Sequence, residues 1–240
     1  MISWLAVRSI ARAEAVAIYR SWLVRIWVSF ALLTALLPVL IASGQEEAVS
    51  DVIGGWLVVY FIPSAIVAAV FGAGAITQDV DIAADSVLTR AVTRYDYVAA
   101  KLLSRVSVVA TVHVAATLPM VFLARRAGLD DATTAGLIMS SLSTGAMLVF
   151  LTVLGVASGT VLRNLAVAVV VIMIAFASEG LIFDFLDLSF LSPTHVLREL
   201  PETIRGETGA WEQARVLLAF TAGAVVSALA AVQVFQRREL

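Results

Sequence analysis

The sequence predicts an all-α integral membrane protein with six transmembrane helices, and three observations carry that expectation. The chain of 240 residues is 61% hydrophobic and only 14% charged, with a mean hydropathy of +0.98. Soluble domains run nearer 45–50% apolar and about 25% charged, and they avoid the large apolar patches that such an excess would expose. The apolar residues fall in six long runs, each near the roughly 20 residues that a helix needs to cross about 30 Å of hydrocarbon. The basic residues cluster on alternate loops, as membrane topology demands.

Taken in order, the runs are 22–42, 55–76, 102–124, 136–160, 165–185 and 212–234. An unpaired backbone amide is costly in lipid, so each run must be a helix or a strand of a closed barrel. Barrel strands alternate apolar and polar over about ten residues, whereas these runs are long and continuously apolar. The whole chain, 1–240, therefore reads as one transmembrane domain. No internal repeat or low-complexity segment competes with it.

Orientation follows from the basic residues. With the N-terminus in the cytoplasm, eleven Lys and Arg fall on cytoplasmic segments and five outside. That distribution predicts cytoplasmic termini, with Gln45 and Gly206 outside, and the plasma membrane is the expected location. The first outside loop, 43–54, holds Glu46, Glu47 and Asp51 and no basic residue. The first run is too long for the apolar core of a secretory leader and lacks a small-residue cleavage site. Ahead of it, Trp4, Leu5, Ile10 and Ile18 alternate with Arg8, Arg12, Glu14 and Arg20 at helical spacing. This segment is expected to form a helix in the cytoplasmic interface, its arginines reaching the headgroups.

The polar segment between the second and third runs carries the most information. In ITQDVDIAADSVLTRAVTRYDYVAAKLLSR, Asp81, Asp85, Thr89 and Thr93 recur every four residues and share one helical face. Ala84, Val87, Leu88, Ala91, Val92 and Tyr95 form an apolar face, and Arg90 and Arg94 a basic edge. An amphipathic cytoplasmic helix follows. Contact with lipid headgroups would explain the arginines but not the acidic row, which favours a protein partner.

The segment resembles the signature region of the six-helix permease subunits of type-two ABC exporters, which include drug, polysaccharide and copper-enzyme-maturation systems. In that family an acidic residue after the second span leads into a short helix. A motif near LLSRPVSR, an aromatic residue and a Gly-Lys pair then precede span three. Here Asp79 stands for the acid, Val87 to Arg94 for the motif, and Tyr97 and Lys101 follow in register. Ala91 replaces the family's proline and Ala100 its glycine before the lysine. Ala83-Ala84 stands where a Gly-Thr pair is usual. Tyr19-Arg20-Ser21-Trp22 resembles the family's entry to span one, and Leu191-Ser192-Pro193 a motif before span six.

The resemblance implies a homodimer of permeases above two separate ATPase subunits that bind ATP and Mg. The helix around Asp79, Asp81, Asp85, Thr89, Arg90 and Arg94 would couple the two layers. The sequence agrees on one point: it has no G-x-x-x-x-G-K-[ST] phosphate loop, since its one lysine follows Ala100. An ATP-driven process would need its ATPase on another polypeptide, and this chain is expected to be no enzyme and to hold no cofactor or metal.

Other classes fit less well. A secondary transporter or a structural membrane subunit would share the composition. The Asp79–Asp85 stretch invites comparison with the Mg-diphosphate motifs of membrane prenyltransferases, because carboxylates suit Mg, but no second acidic motif exists. H-E-x-x-H is absent. Gly155-Val156-Ala157-Ser158-Gly159 has the wrong spacing for a serine-nucleophile turn and more simply permits close helix packing. The absence of cysteine excludes disulfides and thiolate chemistry, and a net charge of −2 offers nothing to a nucleic acid.

Two ionisable residues fall inside runs. Glu179 lies about 21 Å into the fifth by helical rise. A carboxylate there is expensive, so it is expected to face the bundle interior, be protonated, or find a partner such as His113, unless it lies nearer the outer interface and reaches water. It is a candidate for a pathway or gate, and His113 is the other. His113, mid-run, reads most simply as an interhelical hydrogen bond. Residues 194–200, between Pro193 and Pro201, predict a short outer helix in which His195 is a surface residue.

Overall fold

The computed structural model describes residues 4–45, 47–77, 93–162 and 164–237. Six of its helices are long and apolar enough to cross a membrane. The elements are α1 (Trp4–Tyr19), α2 (Trp22–Gln45), α3 (Val49–Thr77), α4 (Arg94–Ala127), α5 (Thr134–Leu162) and α6 (Leu165–Phe185). A 3-10 turn (Ser189–Leu191) follows, then α7 (Pro193–Arg198), α8 (Leu200–Arg205) and α9 (Ala210–Arg237). Among the described residues there is no strand, only an isolated bridge between Ala48 and Leu129. The six long helices match the six apolar runs. The amphipathic segment expected between α3 and α4 lies outside the described residues except for Thr93, which caps α4, and Arg94 and Tyr95 in its first turn.

Small side chains decide the centre. α3 and α5 share the most extensive interface, and more than half of the most apolar window of α3 is buried. Gly72 of α3 meets Gly155 of α5, and a Cβ added to Gly155 would lie 2.9 Å from the Gly72 Cα. Ala65, Ala68, Ala69 and Ala73 continue the seam on α3, and Gly159 on α5. Backbones that approach this closely gain dispersion contacts that lipid cannot replace. The packing role expected of Gly155 and Gly159 is therefore observed. Aromatic groups fill the next layer. Trp56 stacks on Tyr60 at 5.0 Å, and the Trp27 indole donates to Ser64 Oγ at 2.8 Å, which satisfies a polar handle that hydrocarbon could not.

α6 and α9 are peripheral: only 17% and 11% of their apolar windows are buried. Both rest on α5, with no interface of note between them. Their outward residues, Val170, Ile174, Leu181, Val226 and Leu229 among them, are exposed, as lipid-facing residues are.

Two boundaries differ from the sequence expectation. The first far-end connection is much shorter than 43–54, because α2 runs to Gln45 and α3 starts at Val49. Val49, Val52, Ile53 and Trp56 are all buried, so tertiary contact extends the helix through residues read as loop, and Asp51 in the first turn suits the helix N-terminus. α4 likewise starts two turns early, at Arg94. Thr93 caps it by accepting from the Asp96 N–H at 3.2 Å while the Asp96 carboxylate accepts from the Thr93 N–H, a reciprocal capping box.

α1 is a helix as expected, but its buried row is Val7, Ala11 and Ile18, with Trp4 and Leu5 exposed. It packs along α4. There Glu14 accepts from the Lys101 ammonium and lies 3.5 Å from the Arg105 guanidinium. Lys101 is almost fully buried and lies over the Tyr97 ring.

Candidate functional site

The end of the bundle opposite α1 is a stitched layer, and it positions the site. Leu129 pairs with residues 47–49 through two backbone hydrogen bonds of 3.0 and 2.9 Å. Asp131 accepts from the Ser50 N–H at 2.9 Å and the Ser50 hydroxyl at 2.5 Å, and Thr133 donates to the Ile204 carbonyl through N–H and hydroxyl. Partial burial pushes the Asp131 carboxyl up. The Ser50 donors and the nearby Arg205 charge more than reverse this, leaving it below its ordinary range. Arg205 reaches Ser50, Asp51 and Glu207. The connections before α3, before α5 and around α8 are thereby fixed to one another.

α7 is built locally. Ser192 caps it by accepting from the His195 N–H at 3.2 Å, and Pro193 occupies the first helical turn, where its missing N–H costs nothing. This delivers Thr194, still in the first turn, to α6. Glu179 Oε1 accepts from the Thr194 N–H at 3.1 Å and from its hydroxyl at 2.5 Å. Glu179 is 7% exposed, and its second oxygen, Oε2, is buried with no hydrogen-bond partner among the described residues.

Glu179 borders a cavity of about 540 Å³, within the size range of small-molecule sites. α5 provides the floor through Phe150, Leu151 and Leu154, while α6 and α9 flank it. Leu191 and Pro193 close the end nearest Glu179. Among the described residues, Ser178 is the one polar side chain on the wall besides Glu179, and its hydroxyl already donates to the Ile174 carbonyl at 2.9 Å. The arrangement is one carboxylate in an aromatic and aliphatic enclosure. A second, polar cavity of about 220 Å³ lies on the other side of the 189–196 segment, bordered by His195, Glu199, Glu212 and Arg215. There His195 Nε2 stands 3.0 Å from Glu199, and Arg215 lies over the Phe190 ring at 4.1 Å.

The structure brings Glu179 to Thr194, and places His113 elsewhere. His113 Nε2 donates to the Ser141 carbonyl at 2.9 Å, which makes Nε2 the protonated nitrogen and gives the interhelical bond expected between α4 and α5. His195 is half-buried in α7, and α7 with α8 replaces the single outer helix expected over 194–200. Asp79, Asp81, Asp85, Thr89 and Arg90 lie outside the described residues. Arg94, in the first turn of α4, donates to the Gln236 carbonyl near the end of α9 at 3.1 Å. Among the described residues no three acidic or histidine side chains group as a metal site would require.

Sequence reasoning did not find Thr194, Phe150 or Phe220. Glu179 and Thr194 are fifteen residues apart across a turn, and no periodicity links them. Phe150 and Phe220 tilt against each other at 5.8 Å but read in sequence as ordinary span residues. No family model and no curated protein matches the chain.

Proposed function

We propose that this chain is the membrane-spanning permease subunit of an ATP-driven exporter, working with a separate ATPase and a second copy of itself in the plasma membrane. The observation that carries the reading is the cavity between α5, α6 and α9, bordered by a carboxylate buried inside a span. Glu179 ties α6 to α7 through Thr194, but a carboxylate inside a span is costly in hydrocarbon, and a transported ligand of opposite charge would offset that cost. The motif that runs from Asp79 to Lys101 adds the coupling element, and the missing phosphate loop assigns hydrolysis to another polypeptide.

In the orientation that the basic residues favour, α1, Arg94 and the end of α9 face the cytoplasm. ATP-driven approach of the ATPase subunits would push on the segment before α4. That push would reach α9 through the bond from Arg94 to the Gln236 carbonyl, and α9 is one wall of the cavity. The far-end layer would stay fixed while α9 shifts along α5, on which it packs. A proton-driven secondary transporter is the second reading, and Glu179 is the observation that favours it.

The test is to purify the tagged chain from its native membrane and assay the eluate for ATPase activity. Co-elution of an ATPase, lost in the Asp81→Arg, Asp85→Arg double variant while the chain still inserts, supports the exporter. Normal co-elution and hydrolysis in that variant contradict the coupling role. Uptake into vesicles that follows an imposed pH gradient and ignores ATP favours the secondary transporter.

A further inference from the structure

We infer that the cavity between α5, α6 and α9 binds a lipophilic organic cation, its charge balanced by the Glu179 carboxylate and its apolar body against the phenylalanines. The inference deepens the transport reading by naming a ligand class, and it rests on four features of the site.

The first is charge. Glu179 Oε1 is occupied twice by Thr194, but Oε2 is buried and has no partner among the described residues. None of the described residues that border the cavity is Lys, Arg or His, so the wall offers one anionic group and no cationic one. An anionic ligand would meet like charge. A neutral one would leave the charge of a carboxylate buried in a span uncompensated, which is costly. A cation removes that deficit.

The second is the lining. Phe150, Phe176, Phe183 and Phe220 border the same space as Glu179. Aromatic faces attract cations, and more strongly where water is excluded, so they also suit the groups that surround a delocalised or quaternary charge. The third is size: about 540 Å³ is ample for a body of several rings. The fourth is access. Ala175 and Ile182 border the cavity and are also exposed, on the peripheral helix α6. The opening is therefore sideways, between α6 and α9, toward the bilayer from which a lipophilic cation would enter.

Tetraphenylphosphonium is the suitable probe, because its charge is permanent and its surface is four phenyl rings. Tetraphenylborate has the same shape and the opposite charge. Equilibrium binding of each to the purified chain in neutral-lipid nanodiscs, with no ATPase present, reads the site apart from transport. Saturable binding of the cation and none of the borate is expected. Glu179→Gln should weaken the cation roughly thirtyfold, as loss of one partner of a buried charge pair does. The amide oxygen of that variant can still accept from Thr194, so the fold should survive. Ala175→Trp, which narrows the opening and leaves Glu179 in place, should also abolish saturable binding. The inference is overturned if both probes bind alike, if neither saturates, or if the two variants bind the cation as the parent does. Saturable cation binding in a chain that brings down no ATPase would keep the ligand class and remove the ATP-driven reading.

Discussion

Replacing Gly155 by Ala tests whether close backbone contact between α3 and α5 holds the bundle together. The added Cβ would lie 2.8 Å from the Ala69 carbonyl oxygen, 2.9 Å from the Gly72 Cα and 3.0 Å from the Ala73 nitrogen. All three are backbone atoms of α3, so no side chain can rotate away. Carbon atoms in comfortable contact sit about 3.5–4.0 Å apart, so the helices must separate by roughly 0.6–1 Å. A gap of that size forfeits a quarter to a half of each contact across the seam. Overpacking of this kind costs about 1–3 kcal/mol.

Gly55→Ala is the matched control. It lies in α3, and its new Cβ would meet nothing within 4 Å. Both substitutions gain the same helix propensity, about 1 kcal/mol, so the difference between them isolates the clash. Thermal unfolding in detergent, followed by tryptophan fluorescence, should place Gly155→Ala roughly 2–12 °C below Gly55→Ala, at about 2–4 °C per kcal/mol for a chain of this size. Equal midpoints would refute the claim that the seam is set by glycine.

Asp131→Asn should destabilise by about 1 kcal/mol at neutral pH, a figure reduced because Asp131 is largely exposed. Its carboxyl is held below the ordinary value of 3.8. Its contribution is therefore complete above that value and lost as pH falls through the lower folded one. Melting curves should show a constant gap between parent and variant above about pH 5 that closes toward pH 3. Glu14→Ala removes the carboxylate that pairs with buried Lys101, and should cost up to about 3 kcal/mol in detergent unfolding. The double variant with Lys101→Met should recover part of that loss, and no recovery would assign the cost to Glu14 packing alone. Trp27→Phe deletes the donor to Ser64 and should cost about 1 kcal/mol by the same assay.

The six spans were legible because their signal is local: length and continuous hydropathy suffice when the solvent is lipid. The ends of α3 and α4 were less so. Val49 to Trp56 is helical because α4 and α8 bury its residues, and the partners that do so lie far along the chain. Glu179 announced itself as a carboxylate inside an apolar run. Its partner did not, because Thr194 arrives through the capping of α7 by Ser192 and Pro193. The pair between Glu14 and Lys101 spans 87 residues. It turns a lysine legible only as part of a motif into a buried anchor for α1.

The topology bears most directly on the account, and the absence of native cysteine makes it measurable. Single cysteines at Asp130 and Glu207, in connections of the stitched end, should react with an impermeant maleimide in intact cells. Cysteines at Thr89 and Arg237 should react only after the membrane is permeabilised. Labelling of Arg237→Cys from outside, or of only one of the two stitched-end sites, would contradict a six-span bundle with both termini in the cytoplasm.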